Sequence, residues 1–170
     1  MNRPLNVGGF FLINMKYRQL TKEQLEELHQ EFATFLASQQ IDVKEWKIIK
    51  ETKPEVAEEE INIFSDMVWE DVLTKVHYLE HISENHINLF KCNSKEIIRI
   101  YIKMNAENMS FLNSDDFQKF INEPLANDYS FYKAVKKYSN ARNSELFELI
   151  EMGGQITNGK LFKALIQIIS

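Results

Sequence analysis

Apolar positions recur at helical spacing through the first half of the chain. One stripe consists of Leu25, Leu28, Phe32, Phe35 and Leu36. Thr21 and Gln24 precede it with the spacing of a capping box, in which each side chain bonds the other residue's backbone N–H. Together these features predict an amphipathic helix over about residues 22–39.

Two further helices are indicated downstream. Asp42 is a suitable cap for a short helix, and Pro54 suits the first turn of a longer one. The inward stripe of this longer helix consists of Ala57, Ile61, Phe64, Val68 and Val72. Ile63 and Trp69 lie off the stripe, so with Trp46 they are candidates for a partner-facing patch, the alternative being a second core.

From His86 onward the apolar residues no longer recur at helical spacing. They alternate with polar residues or follow one another directly. Dense β-branched residues on either side of Asn93-Ser94 predict a buried hairpin of about residues 86–92 and 96–104. Beyond it we expect a short helix over 115–122 and a strand or short helix from Tyr129. Helices beginning at Asn143-Ser144 and at Thr157 or Asn158 follow. The expected fold is α+β, with a helical N-terminal half, a central antiparallel β-hairpin or small sheet, and C-terminal helices.

Composition supports a packed, intracellular protein. Of the 170 residues, 44% are hydrophobic and 12 are Phe, which is ample apolar surface for one domain. The single Cys92 excludes an internal disulfide and fits a reducing cytoplasm, and we expect it to be a small buried residue at a strand end. No apolar run is long enough to cross a membrane.

The first 14 residues are treated separately. They contain a short apolar run but lack the longer run and the cleavage site of a signal peptide. We interpret residues 1–14 as an upstream extension or a loose arm, and residues 15–170 as a single α+β domain.

One short motif indicates chemistry. Residues His77, Glu80 and His81 spell H-x-x-E-H, which resembles the zinc motif of the pitrilysin and insulinase metallopeptidases. That resemblance implies His77 and His81 as zinc ligands and Glu80 as general base, with a third ligand among Glu145, Glu148 and Glu151.

The zinc hypothesis depends on local secondary structure. On a helix both histidines share one face, whereas on a strand they lie about 13 Å apart and do not share an ion. The apolar pattern from Ser65 to Ile82 suits a continued helix and a strand equally. The motif covers five residues, and we expect no cofactor unless zinc binds there.

A second candidate site is basic and aromatic. Lys133, Lys136, Lys137 and Arg142 gather near Tyr132 and Tyr138. Base stacking on the rings and phosphate pairing with the cations suit RNA or single-stranded DNA. The alternative is that the lysines are solvated and the rings belong to the core.

Longer stretches resemble a known family. They are MKYRQLTKEQLEELHQEF from Met15, VWEDVLTKVHYLEH and ITNGKLFKAL. Over residues 15–168 the chain resembles an uncharacterised family of small intracellular bacterial proteins. The resemblance favours Met15 as the natural start and implies no activity or site residues.

These observations favour a non-catalytic role. No phosphate-binding or nucleophile-elbow motif occurs, and the first 85 residues carry an excess of acidic side chains. We expect a cytoplasmic protein-binding or assembly module that uses its helical half for an unidentified protein partner. Zinc-dependent peptide hydrolysis and single-stranded nucleic-acid binding are the alternatives.

Overall fold

The computed structural model describes residues 15–170, so the predicted extension 1–14 lies outside the described residues. The chain forms two compact units, one ending at Asp71 and one comprising Val72–Ser170. Each unit is described by itself, and the single domain over 15–170 stays a prediction.

The first unit is helical, as expected. Its helices are α1 (Lys22–Glu27), α2 (His29–Ser38), α3 (Val43–Thr52) and α4 (Pro54–Lys75), the last of which continues into the second unit. The predicted helix over 22–39 is divided, because Leu28 leaves helical geometry with φ −98° and ψ 24°. The capping box at Thr21 and the cap at Asp42 are both confirmed.

Packed aromatic rings and backbone hydrogen bonds to one carboxylate hold this unit together. The rings of Phe32, Phe35 and Phe64 have centroids 5.0 to 6.2 Å apart. The N–H groups of Lys16 and Tyr17 donate to the Asp66 carboxylate at 2.8 and 2.9 Å. These bonds fix the segment before α1 against the middle of α4.

The second unit contains one antiparallel sheet. Its strands are β1 (Tyr78–Ile82), β2 (His86–Cys92), β3 (Glu96–Met104), β4 (Tyr129–Lys137) and β5 (Gln155–Thr157), in the order β4-β3-β2-β1-β5. Helices α5 (Ser114–Asn122), α6 (Arg142–Glu151) and α7 (Lys160–Ile169) complete it. The predicted α+β fold and the β2–β3 hairpin are confirmed. The segment from Tyr129 is a strand, and the last helix begins later than predicted because β5 occupies residues 155–157.

One face of the sheet carries the main core. The fully buried side chains Ile87, Leu89, Ile100 and Ile102 alternate along β2 and β3 and belong to one cluster with Phe120. The rings of Phe111, Tyr129 and Phe131 lie 4.9 to 6.3 Å from that of Phe120. Every second side chain of β2 and β3 therefore points to the face of the sheet that α5 covers.

Gly159 is the N-cap residue of α7 and has a left-handed conformation with φ 76°. A Cβ there would lie 2.4 Å from the Tyr78 ring. Only glycine fits this approach, because both the backbone conformation and the space exclude a side chain. Within residues 15–170, no helix combines the length and the apolar composition required to span a bilayer.

Candidate functional site

The H-x-x-E-H residues lie on a strand and in the residue just before it. Helix α4 ends at Lys75, His77 precedes β1, and Glu80 and His81 belong to β1. Four residues of extended chain separate the two histidines by about 13 Å, so both rings do not ligate one ion about 2 Å from each. The strand alternative is correct, and this motif is not the helical histidine pair of the inverted zinc peptidases.

The proposed third ligands do not complete such a site. Glu145 accepts backbone bonds from Asn140, at 2.8 Å, and from Ser139. These bonds, together with the Lys136 ammonium, lower the pKa of the Glu145 carboxyl. Among the residues described here, no group of three or more His, Cys, Asp or Glu side chains is arranged to hold a metal ion.

A cavity of about 410 Å³ opens beside the end of β1. Strand β5 reaches only as far as Gln155, opposite Glu80, so His81 and Ile82 extend past its end. The polar lining consists of Glu80, His81, Ser114 and Gln155. The apolar lining includes Ile82, Phe111, Leu112 and Phe117. Glu80 and His81 therefore share a cavity, although they do not share a metal.

Glu80 is the titratable group of this cavity whose pKa the surroundings shift most clearly. Its side chain is half-buried, and in the described part of the chain it has no hydrogen bond or ion pair. Burial removes water from the carboxylate and raises its pKa above the ordinary value. Glu80 thus presents an anion with little compensation from the protein.

His81 lies against the turn that follows α6. Gly153 has φ 104°, and a Cβ there would lie 3.1 Å from the His81 ring. The ring also stands 6.2 Å from that of His86. Gly153 therefore allows the backbone to approach the imidazole closely and fixes one wall of the cavity.

His81 also begins an aromatic row across the sheet, which we call the ring row: His81, His86, Tyr101 and Tyr132. Successive centroids are 6.2, 5.7 and 5.8 Å apart. The Arg99 guanidinium lies 5.2 Å from the Tyr101 centroid and donates to Asn88 Oδ1 at 2.8 and 2.6 Å. Sequence reasoning missed Arg99 and Tyr101, although alternation along β3 places them on one face.

The predicted basic cluster is divided by the sheet. Lys133 and Lys137 alternate with Lys136, so they point to the opposite face of β4. Lys136 pairs with Glu145 at 3.4 Å. Arg142 is part-buried and donates to main-chain carbonyls, including those of Leu73 and Cys92 at 2.9 and 3.1 Å. The four cations do not form one phosphate-binding surface, and Arg142 has a structural role.

Strand β4 is itself an open edge. Among residues 15–170 it pairs only with β3, on one side, and is the outermost strand. Every residue from Tyr132 to Lys137 is exposed, including Tyr132 at 57% and Val135 at 56%. The opposite edge strand, β5, has only three residues.

The predicted partner-facing residues of the helical unit are less exposed than the residues of β4 from Tyr132 to Lys137. Trp69 is 8% exposed, and the Arg18 guanidinium lies 5.1 Å from its ring centroid. Trp46 is half-buried against Phe32, with centroids 5.3 Å apart, and Ile63 is also half-buried. The prediction that Trp69 faces a partner does not fit this burial.

Cys92 is the last residue of β2 and is 3% exposed, as a small buried residue at a strand end should be. Burial raises the pKa of its thiol to about 12. Since the thiolate is the nucleophile, this environment does not suit a reactive cysteine.

Comparison with known proteins places the chain in a family and confirms that the sequence resembles a family without an assigned function. A family model described as "Family of unknown function (DUF6495)" matches residues 15–170. No curated protein and no solved structure matches the chain. Because the family model covers nearly the whole chain, the protein belongs to DUF6495, a family of unknown function.

Proposed function

We propose that this protein is a non-catalytic protein-binding module of a bacterial cytoplasm that binds an extended acidic segment of its partner along β4. The open edge of β4 carries the proposal, because nine residues lie at one side of the sheet with most of their side chains exposed. Extended peptides add to such edges through main-chain hydrogen bonds. The single buried Cys92 is consistent with a reducing compartment.

The hydrogen-bond pattern identifies which residues of β4 face outward. Asn105 N–H donates to Asp128 O at 2.7 Å, and Tyr138 N–H donates to Lys95 O at 3.5 Å. Antiparallel bonding alternates, so even-numbered residues of β4 bond β3. The N–H and C=O groups of Phe131, Lys133, Val135 and Lys137 therefore point away from the sheet. These groups provide the backbone complementarity for an added strand.

Charge selects the partner. Lys133, Lys136 and Lys137 lie along this edge, and in the described part of the chain Lys136 is the one that pairs with a carboxylate, that of Glu145, at 3.4 Å. Edge lysines oppose pairing with an identical edge, because like charges would lie opposite each other. The same lysines attract aspartate and glutamate side chains on an incoming strand. An acidic partner segment fits this edge better than a second copy of the chain.

The ring row supports a second candidate, single-stranded nucleic-acid binding. Tyr101 and Tyr132 lie next to each other across β3 and β4, with Arg99 over Tyr101. Aromatic side chains on a sheet face stack with bases, and an arginine beside them adds cation–π attraction. This surface differs from the β4 backbone, so one experiment separates the two functions.

The test measures binding of a synthetic peptide that alternates valine and glutamate and matches β4 in length. We expect saturable binding, with chemical-shift changes concentrated at outward-facing amides of β4. The Val135→Pro variant should weaken binding at least about tenfold, since proline removes an outward N–H but no bond to β3. Val135→Thr is the matched control and should bind like the wild type, because it keeps the backbone donor and β-branching.

A peptide alternating valine and lysine should bind much more weakly, and salt should reduce the affinity of the acidic peptide. Equal binding by Val135→Pro, or equal binding of the lysine peptide, would show that β4 is not the site. Single-stranded oligonucleotide binding that is lost in Tyr101→Ala but kept in Val135→Pro would favour the second candidate instead.

A further inference from the structure

The cavity at the end of β1 is separate from the β4 edge, on the other side of the strand order. We propose that it binds a small α-amino amide: a ligand with a protonated amine, an adjacent carboxamide and an apolar side chain. Its volume of about 410 Å³ lies in the range of small-molecule sites. Three features of the wall define this ligand: a main-chain pair at Ile82, the Glu80 carboxylate and two phenylalanine rings.

The main-chain groups of Ile82 are directed toward the side that β5 leaves open. Ser83 N–H donates to His86 O at 2.9 Å, and Cys92 N–H donates to His77 O at 2.8 Å. Odd-numbered residues of β1 therefore bond β2, and even-numbered residues face β5. Tyr78 and Glu80 lie opposite Thr157 and Gln155, but Ile82 has no β5 residue opposite it.

Ile82 thus offers one donor and one acceptor side by side, and both lack a backbone partner within residues 15–170. A primary carboxamide presents an N–H and a C=O on the same side of one plane, so it can bond both groups at once, as one residue of a neighbouring strand would. Buried or half-buried main-chain groups are normally paired, so a carboxamide ligand would supply the hydrogen bonds that this strand end lacks.

The Glu80 carboxylate supplies the charge. It lies two residues from Ile82 on the same side of the strand, about 7 Å along the chain. Its half-buried position disfavours the anion, and no cation or donor pairs with it in the described part of the chain. A ligand ammonium would replace the lost water with a charge-assisted hydrogen bond. An amine and an amide on one amino-acid unit reach both groups, given the flexible glutamate side chain.

The remaining wall is apolar. Phe111 is 3% exposed, so it forms a fixed floor, and Phe117 lines the cavity from the first turns of α5. An apolar ligand side chain gains about 25 cal/mol for each Å² removed from water here. The aromatic faces also favour a nearby ammonium. A small amine with an apolar or aromatic side chain is therefore preferred over a sugar or an anion.

Phenylalanine amide is the probe, titrated into the full chain and followed by protein-observed NMR. At about 0.3 kcal/mol per non-hydrogen atom, a ligand of roughly 12 such atoms should bind with a Kd of about 2 mM. N-acetylphenylalanine amide, which lacks the charge, should bind at least about tenfold more weakly. Phenylalanine methyl ester keeps the amine but lacks the amide donor, and it should also bind more weakly. A tripeptide that begins with phenylalanine should bind more tightly if peptide N-termini are the source of the ligand, and no more tightly if free amides are.

Two variants assign the binding to the cavity. Glu80→Gln keeps the shape of the side chain and removes its charge, and it should weaken phenylalanine amide at least about tenfold. Glu107→Gln, at an exposed position outside the cavity, is the matched control and should have no effect. Ser114→Phe fills the cavity from an exposed helix position and should abolish binding without disturbing the core.

Three results would overturn the proposal. They are equal affinity for the acetylated amide, unchanged affinity in Glu80→Gln, and no saturable binding at about ten times the expected Kd. Since Glu80→Gln removes a desolvated anion, it should fold at least as well as the wild type, and the comparison remains informative.

Discussion

Replacement of Arg142 by alanine is expected to reduce the free energy of unfolding by about 3–5 kcal/mol, because main-chain acceptors lose their donor. The guanidinium donates to Asn93 O at 3.1 Å, Leu73 O at 2.9 Å and Cys92 O at 3.1 Å, and also to Val76 O. Each part-buried carbonyl left without a partner costs about 1 kcal/mol or more. Urea unfolding monitored by circular dichroism measures the difference.

Arg142→Lys separates charge from geometry. Lysine keeps the positive charge but not the planar fork that reaches several carbonyls at once, so it should recover only part of the loss. Lys137→Ala, at an exposed position on β4, is the control and should change stability by less than about 0.5 kcal/mol. A loss below about 1 kcal/mol in Arg142→Ala would contradict the structural role of this arginine.

Replacement of Phe120 by alanine is expected to cost about 3–5 kcal/mol, the range for large-to-small changes in a core. Phe120 has 0% exposure and contacts the rings of Phe111 and Tyr129, with centroids 5.3 and 4.9 Å away. Its removal leaves a cavity that these fixed rings fill only in part. Thermal and urea unfolding of the purified variant measure the loss.

Ile121 provides the matched control for this change. It is the next residue of α5 and is 40% exposed, so Ile121→Ala should cost less than about 1 kcal/mol. Similar losses in the two variants would mean that helix propensity, and not burial of the Phe120 ring, determines the stability of α5.

Local patterns predicted the elements whose signals are local. The capping box at Thr21, the Asp42 cap and the first-turn Pro54 each lie within four residues of the groups they affect, and each was correct. The β2–β3 hairpin was predicted from β-branched density on both sides of a turn. Strand β1 was one of two alternatives for its segment, and β5 was not predicted, because its pairing with β1 joins residues more than 70 positions apart.

In the candidate site, too, local patterns identified some residues, whereas contacts between distant residues were not predicted. Glu80 and His81 were singled out for a zinc motif, and the structure gives them a different setting, beside a cavity that β5 leaves open. Arg142 was a candidate nucleic-acid contact, and its structural role was not predicted, because its acceptors are carbonyls 49 to 69 residues away, which no charge pattern reveals. Main-chain acceptors carry no residue identity, so such bonds are visible only after folding.

The two sides of the sheet are unequal: β4 is long and open, while β5 has three residues. A filament grows by strand addition only if each unit offers two complementary edges, one to receive a neighbour and one to be received. Within the described residues each copy of the chain offers one long edge, so pairing of β4 with β5 gives successive copies only a three-residue ladder. If a partner segment adds to β4 as proposed, the new outer edge belongs to that segment, and the sequence of the partner decides whether a further strand can pair there.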